Sequence, residues 1–309
     1  MEICKADKSE RRDYKMSSEY NKILRVLWII LFANIAVALI KIVVGRMVQS
    51  TSMVADGFHS VTDGASNVIG IIGVKIASRP VDKGHPYGHK KFETMAGLFI
   101  AVMLFLMGME VIKEAFCRII SPVQPRISTA SLLALLATLI TNIAVSKIEY
   151  SQGKRLGSDV LISDSLHTKS DVFVTIGVLS TLILIKMGFP PIVDTLASFV
   201  VAGFIMNAAY GIFRRAGSVL VDKYAVDEEL IRSTVMEFES VKDVHKIRSR
   251  GREDDIYVDL HIMVDPQMSI EQAHELAHEI ERKIRSVVCE NIQVIAHIEP
   301  FEAEHEAED

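Results

Sequence analysis

The sequence predicts an α-helical membrane protein in which six transmembrane helices precede a cytosolic α+β domain of element order αββαβ. Three observations favour this fold class. Half of the 309 residues are hydrophobic and the mean hydropathy is +0.28, yet 24% of the residues are charged. This mixture is typical of a membrane domain joined to a water-soluble one. Long apolar stretches fill the chain up to about residue 215, and shorter helix and strand patterns follow.

Six stretches have the roughly 20 mostly apolar residues that a membrane-crossing helix needs. They are residues 23–45, 51–77, 92–119, 127–146, 160–187 and 192–213. Lysine and arginine concentrate before the first span, in the loops after the second and fourth spans, and after the sixth. Because cytoplasmic loops carry this excess, both termini are predicted to be cytosolic.

The remainder of the chain predicts a small layered domain. A helical pattern covers residues 226–240, two strands flank a charged turn within 244–264, a second helix covers 269–287, and a last strand covers 292–300. This order favours a small antiparallel sheet with the helices on one face.

Composition argues against several classes of protein. The net charge of −5 does not favour a nucleic-acid partner. The three cysteines, Cys4, Cys117 and Cys289, lie too far apart for a disulfide framework or a C-x-x-C site to be inferred. The polar start lacks the apolar core of a cleavable signal peptide.

Two of the predicted spans carry the same polar pattern, D-x-x-H-x-x-x-D. Its members are Asp56, His59, Asp63 and Asp164, His167, Asp171. At 100° per helical residue, each copy falls within an arc of about 60° on one helix face. A buried carboxylate costs several kcal/mol unless it is paired or bound to a cation. Lys41 and Lys75 are expected toward helix ends, too far away to compensate.

A divalent cation would balance this buried charge. His59 and Asp63 on one helix, with His167 and Asp171 on another, would supply two nitrogens and two oxygens, a closed tetrahedral set that suits Zn²⁺. The all-oxygen shells of Mg²⁺ and Ca²⁺ fit poorly. The competing interpretation is that these side chains serve helix packing or water pockets. Asp56 and Asp164 are expected to support the ligands instead of binding the ion.

Two further groups of residues are candidates for metal binding. Asp82, His85 and His89 lie in the loop after the second span, where the alternative is a glycine- and proline-built turn with solvated histidines. His245, His261, His274 and His297, with Glu299, lie in the cytosolic domain and would converge if the strand-borne histidines meet at one end of the sheet. The alternative there is a set of scattered surface histidines.

Residues 274–278 also match H-E-x-x-H, the zinc-binding helix signature of metalloproteases. The domain is small, with roughly 90 residues, no third ligand follows at the expected spacing, and the motif lies outside the spans. We therefore interpret the match as coincidental and expect a transporter instead of an enzyme.

The segments DGFHSVTDGASN, GHPYGHKKFE and DSLHTKSD resemble the cation diffusion facilitator family, especially its bacterial zinc and ferrous-iron efflux members, and the likeness extends over residues 24–300. The resemblance implies a homodimer in the bacterial inner membrane, with a metallochaperone-like cytosolic domain. The division that follows is a cytosolic N-terminal segment 1–21, a transport domain 22–215, a metal-binding and dimerisation domain 216–300, and an acidic tail 301–309.

The same resemblance implies roles for individual residues. His59, Asp63, His167 and Asp171 match the transport site; Asp82, His85 and His89 match a loop site; His245, His261, His274, His297 and Glu299 match a cytosolic site; and Lys91 with Asp222 resembles a charge pair near the dimer axis. Relatives carry aspartate where Glu299 stands, so a bridging role for this longer side chain is open. His278 does not match a family ligand.

The predicted function is efflux of Zn²⁺ in exchange for protons, with Zn²⁺ also bound at the cytosolic site. His59 and His167 are the expected proton carriers because an unperturbed histidine titrates near 6.5. Two alternatives stay open: a related exporter of Fe²⁺, Mn²⁺, Co²⁺ or Cd²⁺, and a metal sensor or scaffold that transports nothing.

Overall fold

The computed structural model describes residues 2–47, 51–120, 129–190, 192–252, 255–289 and 291–301. The chain forms two compact units, Met1–Gly217 and Ser218–Asp309, each with its own core.

The first unit consists of six long helices. They are α1 (Glu2–Met47), α2 (Thr51–Ala77), α3 (Lys91–Ile120), α4 (Thr129–Leu156), α5 (Asp159–Lys186) and α6 (Ile192–Leu220). Among the described residues, four helices are long and apolar enough to cross a membrane, and α2 adds a shorter apolar segment, Gly64–Ala77. The predicted fold class is confirmed.

Helices α1 and α4 extend furthest beyond the predicted spans. Helix α1 begins at Glu2, well before the predicted residue 23, because the intervening residues include no glycine or proline and many strong helix formers. Helix α4 ends at Leu156 instead of residue 146. It stops where Gly157 adopts a φ of 62°, the left-handed conformation common just after a helix. The longer α4 includes Glu149, which the prediction had left in a loop.

The helices approach closely at glycines. A Cβ added at Gly73 of α2 would lie 2.3 Å from the Cβ of Ala96 in α3. One added at Gly153 of α4 would lie 2.9 Å from Ile162 Cγ1 in α5. Apolar side chains of α1, α2, α3 and α5 form one buried cluster, which includes Leu27 and Leu161. The two helices that carry the polar repeats, α2 and α5, are therefore packed into the same core.

The second unit has the predicted element order. Its elements are α7 (Glu228–Val235), β1 (Val241–Arg252), β2 (Asp255–Val264), α8 (Ile270–Val287) and β3 (Ile292–Pro300). Residues Ile256, Val258, Leu260 and Ile262 alternate into the core of this unit, as their period-2 spacing predicts.

The prediction of a wholly antiparallel sheet is wrong. Strand β1 pairs antiparallel with β2, but β2 pairs parallel with β3. The reason is that α8 lies between β2 and β3, and such a crossover helix returns the chain to the end of the sheet where β2 began. Helix α8 starts with a capping box in which Ser269 and Gln272 bond each other's backbone.

Candidate metal sites

Strand register aligns three histidines across the cytosolic sheet. His245 of β1 lies opposite His261 of β2, and His261 lies beside His297 of β3. The ring centroids are 5.4 Å apart in the first pair and 4.9 Å in the second. Directly paired residues on neighbouring strands share one face of the sheet, so the register alone produces a row of imidazoles.

Glu299 contacts every histidine of this row. Its Oε1 atom lies 2.8 Å from His261 Nδ1 and 3.5 Å from His297 Nε2, and its Oε2 atom lies 3.2 Å from His245 Nε2. The ligand atoms of His245, His261 and Glu299 lie within 4.8 Å of one another, close enough to hold one ion. The longer glutamate side chain therefore reaches all three rings.

The electrostatics of this cluster favour an ionised carboxylate. Partial burial would raise the pKa of Glu299, but the hydrogen bond with His261 and the charges of His261, His245 and His297 outweigh it, so the pKa lies below its usual value. An ionised carboxylate flanked by imidazole nitrogens is a ligand set that Zn²⁺ accepts.

His274 lies apart from this cluster and pairs with His278. The two Nε2 atoms are 3.2 Å apart on the exposed side of α8. Helix spacing explains the contact, because residues i and i+4 are neighbours on one face. In the described part of the chain, His274 is not among the residues whose ligand atoms group with those of His245, His261 and Glu299, and its place in the cytosolic site stays a prediction.

The loop between α2 and α3 gathers its three predicted residues. Asp82 Oδ1 lies 3.4 Å from His85 Nδ1, and Asp82 Oδ2 lies 3.4 Å from His89 Nε2. Asp82 also accepts hydrogen bonds from the backbone N–H groups of His85 and Gly84, at 2.7 and 2.8 Å. These bonds and the nearby histidines hold the pKa of Asp82 below its usual value, despite some desolvation. His89 is buried, and its Nδ1 has no hydrogen-bond partner among the described residues.

Helix α5 buries the second polar repeat. His167 is 3% exposed, and neither of its ring nitrogens has a hydrogen-bond partner in the part of the chain that the structure describes. Asp171 follows one turn later and is half-buried. A buried polar group without a partner costs about 1–3 kcal/mol. Within the described residues, the hydrogen-bonding capacity of this imidazole is therefore unused.

Asp164 links α5 to α2 through hydrogen bonds. Ser66 donates to Asp164 Oδ1 at 2.8 Å, and Asn67 donates to Oδ2. Asn67 in turn accepts a bond of 3.0 Å from Asn34 of α1. Both carboxylate oxygens of Asp164 are occupied in this way, and its predicted role in supporting the ligands stays a prediction.

The first polar repeat lies on α2, but the side chains of Asp56, His59 and Asp63 lie outside the described residues. Their neighbour Ser60 accepts a hydrogen bond of 2.9 Å from the buried Lys41 of α1. Lys41 lies toward the end of α1 as expected, and its long side chain carries the ammonium group to a residue adjacent to His59 in sequence.

Lys91 begins α3 in the first unit, whereas Asp222 belongs to the second. Their predicted charge pair stays a prediction. Asp222 has a φ of 53° and lies 3.9 Å from Arg250 in its own unit.

Sequence reasoning missed the polar side chains that surround the repeats. Ser66 and Asn67 follow the first repeat by one turn, a spacing that places them on its helix face and offered a signal. Glu149 gave a weaker signal, since its role depends on α4 continuing past residue 146.

Two protein-family models together match nearly the whole chain. Residues 27–221 match the model of the cation efflux transmembrane domain, and residues 225–301 match that of the cation efflux protein cytoplasmic domain. The chain belongs to the cation efflux, or cation diffusion facilitator, family. It is accordingly a multi-pass membrane protein of a family of divalent-metal efflux transporters.

Several characterised and uncharacterised relatives are similar over most of the chain. An uncharacterised transporter of Methanocaldococcus jannaschii is 32% identical over 84% of this chain and 92% of its own length. Metal tolerance protein C1 of Arabidopsis thaliana is 30% identical over 93% of this chain and 64% of its own length. The manganese efflux system protein MneS of Bacillus subtilis is 27% identical over 87% of this chain and 93% of its own length.

Proposed function

We propose that this protein exports Zn²⁺ in exchange for protons through a site formed by His59, Asp63, His167 and Asp171. The observation that carries the proposal is His167, a buried imidazole whose two nitrogens lack partners among the described residues. An imidazole and a carboxylate four residues apart on one helix face can supply half of a tetrahedral zinc site. The matching H-x-x-x-D sequence on α2 supplies the other half in this proposal.

Proton exchange follows from the chemistry of the ligands. A metal ion binds neutral imidazole and ionised carboxylate, so metal and protons compete for the same atoms. Histidine changes charge in the physiological pH range. Each arriving proton therefore favours release of Zn²⁺ on the more acidic side, which makes His59 and His167 the proposed proton carriers.

The direct test is zinc transport by proteoliposomes under an imposed pH gradient. The wild type should exchange zinc for protons, and His167→Ala should abolish the exchange. His305→Ala, in the acidic tail, is the matched control and should transport as the wild type does. Full zinc-for-proton exchange by His167→Ala would contradict the proposal.

A second cargo, Mn²⁺, is favoured by a specific observation. Two relatives from Bacillus subtilis, 27% and 28% identical to this chain, are named manganese efflux system proteins. Affinity alone does not separate the divalent ions, so coordination geometry must do so. Competition of Mn²⁺, Fe²⁺, Co²⁺ and Cd²⁺ against zinc uptake in the same vesicles ranks the cargoes, and stronger competition by Mn²⁺ than by unlabelled zinc would reverse the assignment.

The remaining sites support a regulatory arrangement in this proposal. Zn²⁺ bound by His245, His261 and Glu299 would bring two protomers together as a homodimer, with His297 and His274 adding ligands nearby. The loop cluster of Asp82, His85 and His89 would hold a further ion. The proposal also includes cytosolic termini, a bacterial inner membrane and a charge pair between Lys91 and Asp222. Mass measurement of the purified protein with and without a chelator tests the dimer.

A further inference from the structure

Helix α4 carries a buried carboxylate that the proposed site does not use. Glu149 has no exposed surface. Its Oε2 atom accepts a hydrogen bond of 3.0 Å from Thr168, but its Oε1 atom has no hydrogen-bond partner among the described residues. No lysine or arginine of those residues forms an ion pair with it. A buried carboxylate in this condition stays ionised only with a positive charge nearby.

Glu149 faces the side of α5 that carries the transport ligands. Its neighbours on α5 are Asp164, Thr168 and Asp171, which lie on three successive turns. At 100° per residue, these three positions and His167 occupy an arc of about 100°. Glu149 is close enough to Asp164 and Asp171 for their charges to interact. It therefore borders the same polar strip as the buried imidazole of His167.

Two buried groups without hydrogen-bond partners among the described residues thus border one polar strip. They are the Oε1 atom of Glu149, on α4, and the two ring nitrogens of His167, on α5. We propose that Glu149 is an additional oxygen ligand that determines cargo specificity, completing the coordination of six-coordinate divalent cations such as Mn²⁺ or Fe²⁺. The proposal rests on the proposed function, because it assumes that His167 and Asp171 hold the cargo.

Coordination preferences explain why a further carboxylate would matter for some ions only. Two histidines and two aspartates already close a tetrahedral zinc shell. Carboxylate-rich, octahedral sites suit Mn²⁺, for which four ligands leave positions open. An oxygen from α4 would fill one of these positions, so removing it should penalise Mn²⁺ far more than Zn²⁺.

The competing explanation is that Glu149 remains a neutral acid that shares a hydrogen bond with Asp164. Glutamine has the same shape as a protonated glutamate and still donates a hydrogen bond, so it reproduces this structural role. It cannot supply a charged oxygen to a cation. The variant Glu149→Gln therefore separates the two explanations without leaving a cavity.

The experiment measures uptake of Mn²⁺ and of Zn²⁺, each alone, into proteoliposomes that contain wild type or Glu149→Gln. We expect the KM for Mn²⁺ to rise by about tenfold or more, whereas the KM for Zn²⁺ changes by less than about threefold. The control is Glu110→Gln, an exposed carboxylate on α3, which should leave both values unchanged. Thermal unfolding in detergent verifies that the variants are folded.

Three results would overturn the inference. Unchanged KM values for both ions would indicate the neutral acid, and equal losses for both ions would indicate a structural role. Failure of the wild type to carry Mn²⁺ or Fe²⁺ would remove the specificity that Glu149 is proposed to provide. None of these results contradicts zinc-for-proton exchange, whose own test is His167→Ala.

Discussion

The cytosolic histidine cluster and the buried polar strip of α5 differ in whether their polar groups find partners within the protein. In the cytosolic unit, Glu299 contacts His245, His261 and His297, so the cluster is largely satisfied by its own members. By contrast, His167 of α5 and Glu149 of α4 bury atoms that have no partner among the described residues.

In the proposed function, this difference separates a regulatory metal site from a transport site. Groups that bond one another persist when the ion leaves, as a site that senses metal requires. Groups left unpaired become costly whenever the ion is absent, by about 1–3 kcal/mol for each buried polar atom. A transporter must release its cargo, and this cost is relieved when protons or a new ion arrive.

The largest effect on zinc transport is expected from replacing His167 of α5, compared with replacing His245 of the cytosolic cluster. His167→Ala should lower the kcat/KM of zinc transport by about 100-fold or more. Replacing a residue that only supports a metal ligand costs up to about 100-fold in activity, and replacing the ligand itself should cost at least as much. His245→Ala should lower it by less than about tenfold, since the cytosolic cluster lies outside the proposed path. Zinc flux into proteoliposomes gives both values. Equal losses in the two variants would contradict the difference between the α5 site and the cytosolic cluster.

A smaller effect is expected when the shared carboxylate is removed. Glu299→Ala should weaken zinc binding to the cytosolic cluster by about 10- to 100-fold, because one side chain serves three imidazoles. Titration of the detergent-solubilised protein against a competing chelator measures the affinity. Glu239→Ala, an exposed carboxylate of the same unit, is the control. If both variants bind zinc equally well, Glu299 is not a ligand.

The smallest effect concerns the helix packing that supports the buried strip. Gly73→Ala places a methyl group against Ala96 and should lower the free energy of unfolding by about 1–3 kcal/mol. Gly203→Ala is the matched control on α6, where an added Cβ meets nothing within 4 Å, so stability should be unchanged or slightly higher. Thermal unfolding in detergent compares them, and equal stabilities would show that α2 and α3 can move apart freely.

Sequence reasoning succeeded where periodicity carries the information. The apolar spans and the alternating Ile256, Val258, Leu260 and Ile262 follow directly from helical and strand periods. It failed where information is non-local. The parallel pairing of β3 depends on contacts between strands that no local pattern encodes.

Glu149 illustrates the same limit in the membrane unit. Hydropathy ends the fourth span at residue 146, where polar residues begin, but the helix continues because its backbone bonds do not depend on hydropathy. The extra turns place a carboxylate against α5. Similarly, Lys41 was expected at a helix end, and its reach to Ser60 depends on a side-chain conformation that spacing does not reveal.

The most direct test of the central claim is zinc K-edge X-ray absorption on the full-length protein with the loop and cytosolic ligands replaced by alanine. We expect one zinc ion per protomer, bound by two nitrogens and two oxygens at about 2.0–2.2 Å. In His167→Ala, either this ion or one of its two nitrogen ligands should be lost. An unchanged zinc shell in His167→Ala would contradict it.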